Sequence, residues 1–301
     1  RTAMQRAIAS DRLAHAYLFV GPEGVGKAGF AHEVAKAILC ARPRPSDESM
    51  GACGDCSSCR TFVSRNHPGF STLEPAEGSV SIDIARVRET IEALAVRTAE
   101  RRVMIVDPVD ALPPASANAF LKTLEEPPVG VIFLMVTARP AQLLDTIVSR
   151  CHRVPFTSLD AASFRAALEA HDVPTDEIEW LHEISSGSPG LALRLRTGIE
   201  VCGGREAFES ILGGGASERP ETLIDLVPPL RSDEPKRERI RRLLELVLDG
   251  IRAQRSADPD RRQAQGERAV AIAALAQGLD SNLNPELVLE RLARCLRPSV
   301  R

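Results

Sequence analysis

No apolar run in this 301-residue chain approaches the roughly 20 residues needed to cross a bilayer, and its Arg-containing, Ala-rich start lacks the pattern of a secretory signal. Both absences point to a cytoplasmic protein. A strong charge of one sign is also missing: 38 Lys and Arg against 41 Asp and Glu leave a formal net charge of −3. That balance argues against a uniformly basic nucleic-acid coat and leaves room only for a local basic face. The cysteines number seven, an odd count that disfavours a closed disulfide framework. What remains is ordinary for a soluble globular chain, 44% hydrophobic and 26% charged, so disorder is not expected. The length can bury a sizeable core and fits two or three domains. The chain opens at Arg1 in what reads as mid-helix, which suggests that sequence precedes it.

The most informative stretch is Ala16 to Ala28. Ala16-Tyr17-Leu18-Phe19-Val20 has the composition of a buried strand and runs into Gly21-Pro22-Glu23-Gly24-Val25-Gly26-Lys27, after which helix formers continue to Leu39. This is a phosphate loop: the glycines let the backbone close around an anion, the helix presents its positive end, and Lys27 adds a point charge. One part is missing. The residue after the lysine should carry a hydroxyl to hold a nucleotide's magnesium, and Ala28 has none. A second part is missing downstream, where Arg102-Val103-Met104-Ile105-Val106-Asp107 reads as a strand ending in an acid. Beside Asp107 a hydrolase needs a carboxylate to polarise water, and Pro108 stands there instead. Asp110 is displaced by one turn and reads as a helix cap or turn residue.

Cys53, Cys56 and Cys59 form CxxCxxC, with Cys40 thirteen positions upstream at the end of the preceding helix. Four thiolates so spaced could close on one tetrahedral zinc and staple a loop with too little apolar surface to hold itself. An iron–sulfur cluster fits less well, because Arg60 to Arg65 supply neither a fourth cysteine nor a proline. Unliganded thiols are the remaining alternative.

Further apolar runs at Gly69–Leu73, Val131–Val136 and His152–Phe156 read as strands. Helical spacing at Ile82, Ala85, Val87, Ile91 and Leu94, and the helix Ser116–Glu126 closed by Pro127-Pro128, separate them. Strands alternating with helices predict a parallel sheet covered on both faces. Arg86, Arg88 and Arg97 read as solvated residues. Beyond Thr157 only helices are expected: Ser158–Ala170, Asp176–Ser186 and one opened by Ser188-Pro189 form a small lid. Later come a stripe at Ile240, Leu243, Leu244, Val247 and Ile251, another at Val270–Leu279, and a last helix capped by Asn284-Pro285. The fold class is α/β followed by all-α.

His15-Ala16-Tyr17-Leu18-Phe19, the loop Gly21–Lys27, the four cysteines, Asn118-Ala119-Phe120-Leu121-Lys122-Thr123-Leu124-Glu125-Glu126-Pro127-Pro128 and Ser149-Arg150-Cys151 occur in that order. Together they resemble the delta-prime family of bacterial DNA polymerase III clamp-loader subunits, within the AAA+ family. The resemblance is densest from His15 to Phe156, and the last third matches mainly by position and helical character. It implies an AAA+ α/β P-loop domain at 1–157 with a zinc knuckle within 40–59, a helical lid at 158–202 and a helical collar domain at 203–301. It also implies a stator that helps load the sliding clamp on primed DNA in replication. Its partners would be gamma/tau motor subunits and delta in a hetero-oligomeric ring, with the clamp and primer–template DNA reached through the complex. Gly190 stands where motor subunits carry a γ-phosphate-sensing arginine, and Arg150 matches the arginine that reaches a neighbour's nucleotide as a finger in trans. The chain would then have no ATPase of its own and would work inside the polymerase III holoenzyme. The intact loop keeps open an ATP-hydrolysing motor subunit or another active AAA+ ATPase. The knuckle keeps open a zinc-dependent nucleic-acid-binding module, and Arg150 an ordinary ion-pair role. Whether ATP or ADP binds is also open, the loop being either working or vestigial.

Overall fold

Five short apolar runs become the strands of one parallel sheet: β1 (Ala16–Val20), β2 (Phe70–Leu73), β3 (Arg102–Val106), β4 (Val131–Thr137) and β5 (His152–Pro155). In this computed structural model their order is β2-β3-β4-β1-β5. The structure describes residues 2–44, 50–76, 81–95, 101–201, 204–212, 222–225, 227, 229, 234–253, 258–280 and 283–296. The expected turn at 77–79, the glycines at 203 and 213–215, Arg97 and Cys202 lie outside them.

β1 lies between β4 and the edge strand β5, paired in parallel with β4 from Ala16↔Phe133 to Val20↔Thr137 and with β5 from Tyr17↔His152 to Val20↔Pro155. Because side chains alternate along a strand, the inner strands feed two cores. Ala16, Leu18, Met104, Val106, Phe133 and Met135 pack on one face. Tyr17, Phe19, Val103, Ile105, Leu134 and Val136 pack on the other. Continuous apolar runs therefore mean burial on both sides, as expected for a parallel sheet.

The helices of this first unit, residues 1–157, are α1 (Thr2–Ala9), α2 (Lys27–Leu39), α3 (Ser57–Val63), α4 (Ile84–Ala95), α5 (Pro114–Glu125) and α6 (Asp145–Val148). α2 covers the Phe19 face with Val34 and Ile38. α4 and α5 cover the other with Val87, Phe120 and Leu124. Ala85, expected on the apolar face of α4, is exposed at the second position of the helix, while Ile82, Val87 and Leu94 are buried. β5 also departs from a fully buried strand: as the edge strand it leaves His152 and Arg153 exposed.

Residues 158–301 form the second unit, with α7 (Ala161–Glu169), α8 (Thr175–Ser185), α9 (Pro189–Val201), α10 (Arg205–Leu212), α11 (Thr222–Asp225), α12 (Lys236–Ala253), α13 (Pro259–Asp280) and α14 (Pro285–Leu296). The stripe of α12 is buried at Ile240, Leu243, Leu244, Val247 and Ile251. α9 faces two ways: Ala192 joins the small core of α7 and α8, while Leu195 and Ile199 join the larger core of α10–α14. α14 begins as its sequence predicts, with the Glu286 N–H donating to Asn284 Oδ1 at 2.9 Å. None of the described helices is long and apolar enough to cross a membrane.

Candidate functional site

Parallel strands put all their C-terminal ends on one rim, and β1 delivers the chain there at Gly21. A side chain at Gly21 has no room: its Cβ would lie 2.3 Å from the Phe156 carbonyl oxygen, since the Phe156 N–H donates to Val20 O at 2.7 Å. Gly24 and Gly26 take φ of +74° and +92°, a region costly for residues with a Cβ. Gly26 is also the residue from which α2 starts. Lys27 is buried and donates through Nζ to Gly21 O at 2.9 Å and Pro22 O at 2.6 Å. Burial pushes its ammonium below the ordinary lysine range, and the carboxylates of Asp107, Glu23 and Asp110 partly oppose this. Asp107, next to β3 on the same rim, is pushed up by burial against the pull of Lys27. The rim therefore combines a wrapped backbone, a helix start and a cation, a device for holding an anion. It offers no hydroxyl at Ala28 for a metal and no acid at Pro108 for a water.

Of the two expectations for Asp110 the turn holds: it lies in a 3-10 turn, Val109–Ala111, and makes no cap there. Its carboxylate is 1% exposed and accepts from Thr137 Oγ1 at 2.7 Å and from Arg139 at 2.8 Å (Nε) and 2.6 Å (Nη2). The Arg139 N–H in turn donates to Thr137 Oγ1 at 2.9 Å, and Gly21 N–H to Thr137 O at 3.3 Å. The forked pair explains how a carboxylate tolerates this burial. Sequence reasoning missed Thr137 and Arg139; the available signal was a hydroxyl residue closing an otherwise apolar strand.

Arg150 lies elsewhere. It precedes β5, so it sits at the N-terminal rim, separated from the loop by the length of a strand. Its guanidinium donates from Nη2 to Glu125 Oε1 at 2.6 Å, and from Nη1 to Thr146 O at 2.9 Å and Ser149 Oγ at 3.5 Å. The side chains of Arg150 and Glu125 are 33% and 48% exposed, so the pair is reachable from solvent. Cys151 is half-buried, donates to Ile147 O at 2.9 Å, and burial pushes its thiol up to about 12. It packs rather than reacts.

Cys40, Cys53, Cys56 and Cys59 come together with all sulfurs within 4.8 Å of one another. Cys40 Sγ lies 3.6 Å from Cys53 Sγ and 4.0 Å from Cys56 Sγ, and Cys53 Sγ lies 4.0 Å from Cys59 Sγ. All four are free thiols, and these spacings far exceed the roughly 2.05 Å of a disulfide. A zinc ion bound by four thiolates at about 2.3 Å sets tetrahedron edges of about 3.8 Å, so the donor set fits one ion and is too tight for a multi-iron cluster. Backbone N–H groups support the sulfurs: Cys53 N–H points to Cys40 Sγ and Cys59 N–H to Cys56 Sγ, each at 3.3 Å. The second of these bonds brings the Cys56 thiol down to about 6, while burial pushes Cys59 up to about 12. Hydrogen bonding to Asp55 raises Cys53. Around the cluster Ser58 donates to Leu39 O at 2.5 Å and meets His67 Nε2 at 2.9 Å, tying α3 to the end of α2.

The class so defined is a phosphate-loop α/β unit with a four-thiol insertion, followed by a helical unit. A family model described as DNA polymerase III, delta subunit, matches residues 1–160. DNA polymerase III subunit delta' of Pseudomonas aeruginosa is 37% identical over 187 residues, 60% of this chain and 56% of that protein. The subunit delta' of Yersinia pestis is 31% identical over 253 residues, 81% of this chain and 72% of its own. A DNA polymerase III gamma subunit-related protein of Thermotoga maritima aligns over 98% of both chains with a TM-score of 0.49 and 18% identity. The chain belongs to the delta-prime subunit family of DNA polymerase III, and it spans little more than half the length of the Pseudomonas relative.

Proposed function

We propose that this protein is the non-hydrolysing stator of a DNA polymerase III clamp loader, giving Arg150 in trans to a neighbouring motor subunit's ATP site. One juxtaposition supports the reading above all. The rim that carries Gly21–Lys27 lacks the metal hydroxyl at Ala28 and the water-polarising acid at Pro108, while Arg150, one-third exposed, precedes β5 at the opposite rim. A cation so placed is of no use to its own loop. It is useful to a loop on another subunit, where such an arginine supplies roughly 10³–10⁵ in rate in other nucleotide hydrolases.

In this reading Gly21 to Lys27 form an anion cradle that holds nucleotide without turning it over. Cys40, Cys53, Cys56 and Cys59 hold a structural zinc that staples the insertion between α2 and α3. Zinc there supplies cross-linking and no reaction chemistry. The AAA+ α/β unit is followed by a lid at 158–202 and a collar domain at 203–301 that joins gamma/tau and delta subunits in a ring. The sliding clamp and primer–template DNA are reached through that complex.

The test is ATP hydrolysis by the isolated chain and by a loader reassembled with it. The chain alone should show no turnover, and Arg150→Ala should fold, assemble and lower the loader's rate. Magnesium-dependent hydrolysis by the isolated chain, abolished by Lys27→Ala, would overturn the proposal.

A further inference from the structure

Glu125 is where the structure asks for an explanation. It occupies the last residue of α5, where free carbonyl groups make the helix end negative and a carboxylate is disfavoured. The position is tolerable because Arg150 Nη2 donates to Glu125 Oε1 at 2.6 Å. The arginine's backbone is held by the last bonds of α6, with Arg150 N–H on Ile147 O at 3.2 Å. Its Nη1 is drawn toward Thr146 O at 2.9 Å. Those bonds come from Arg150's own segment and fix where the side chain starts. Among the described residues only Glu125 reaches it from another helix, across 25 residues of sequence, and so sets where the guanidinium ends up.

We infer that Glu125 is a positioning residue for Arg150, holding the guanidinium in one outward orientation before a neighbour's triphosphate arrives. The inference rests on the proposal that Arg150 acts in trans. An unrestrained arginine spreads over many rotamers and must be ordered each time it engages. Pre-ordering one such side chain is worth about two- to tenfold in the step that uses it. The pair remains half-exposed, so Glu125 does not bury the cation it aligns.

The assay is steady-state ATP hydrolysis by the assembled loader containing wild-type chain, Glu125→Ala, Glu125→Gln, Arg150→Ala or the Glu125→Ala/Arg150→Ala double variant. Incorporation and thermal midpoints are checked for each. Glu125→Ala should lower kcat about two- to tenfold with KM for ATP unchanged. Glu125→Gln, which keeps the accepting oxygen, should restore most of the rate. In the Arg150→Ala background Glu125→Ala should cost nothing more, because its only route is through that arginine. A wild-type or raised rate for Glu125→Ala, or losses that simply multiply in the double variant, would overturn the inference while leaving Arg150's own role standing. A silent Arg150→Ala would instead remove the trans reading and the inference together.

Discussion

If the thiol cluster holds zinc as proposed, Cys56→Ser separates that role from its role in starting a helix. The Cys56 sulfur accepts the Cys59 N–H as the cap of α3 and lies 4.0 Å from Cys40 Sγ. Serine keeps a capping oxygen and removes the soft ligand. What the insertion contributes to the first unit is mainly Met50 and Phe62, 2% and 8% exposed, in the core that also holds Val34 and Ile38. Returning two such side chains to water costs about 1.5–3 kcal/mol each, or about 3–6 kcal/mol together. Structural zinc binds zinc-finger peptides with an apparent ~10–16 kcal/mol, more than the burial it protects. Opening of the insertion, not the full affinity of the ion, therefore limits the loss. At about 2–4 °C per kcal/mol for a unit of this size, Tm should fall by roughly 6–24 °C. Metal analysis should find about one zinc per wild-type chain and little in the variant, and chelated wild type should melt like the variant. A metal-free wild-type chain with four freely titrating thiols, or a Cys56→Ser variant that melts unchanged, would refute the reasoning.

Gly21→Ala sets a Cβ 2.3 Å from a backbone oxygen that cannot rotate away; overpacking of this kind should cost about 1–3 kcal/mol in denaturant unfolding. Asp107 tests the electrostatics of the rim. Burial raises its carboxyl in the folded chain, so folding favours its protonated form, a contribution fully present below the ordinary carboxylate value and lost as pH rises through the raised one. Relative to Asp107→Asn, the wild type should gain stability as pH falls from about 7 to about 4, and parallel pH–stability curves would count against the shift. Asn284→Ala removes the cap on the Glu286 N–H and should destabilise by about 1 kcal/mol in thermal unfolding; an unchanged midpoint would show that α14 is set by packing alone.

Much of the molecule was legible in the sequence because its local signals agree. Parallel strands buried on both faces must be apolar throughout, which is why Ala16–Val20 and Val131–Thr137 could be read directly. The glycines of the loop and the CxxCxxC spacing are constrained over a few residues, so pattern alone finds them. What escaped are contacts whose partners are distant in the chain. Asp110 read as a cap or turn residue and does lie in a turn, yet its carboxylate is claimed by Thr137 and Arg139, 27 and 29 residues on and one strand over. Glu125 and Arg150 meet only because α5 and α6 pack against each other. His152 and Arg153 are exposed because β5 is an edge strand, a fact of sheet order that no single segment encodes.

The opposed rims also give the molecule a direction. In the proposed function, a subunit that offers a cation on one side and an inert cradle on the other would be a terminal piece in a head-to-tail row. If Arg150 acts in trans as proposed, its side faces a neighbour that carries a reactive triphosphate, and a neighbour's finger pressed against Gly21–Lys27 would find nothing to accelerate. Two copies in succession would idle one interface. On the proposed reading, the polarity of a single sheet would favour one such chain per assembly, at a fixed end of the series.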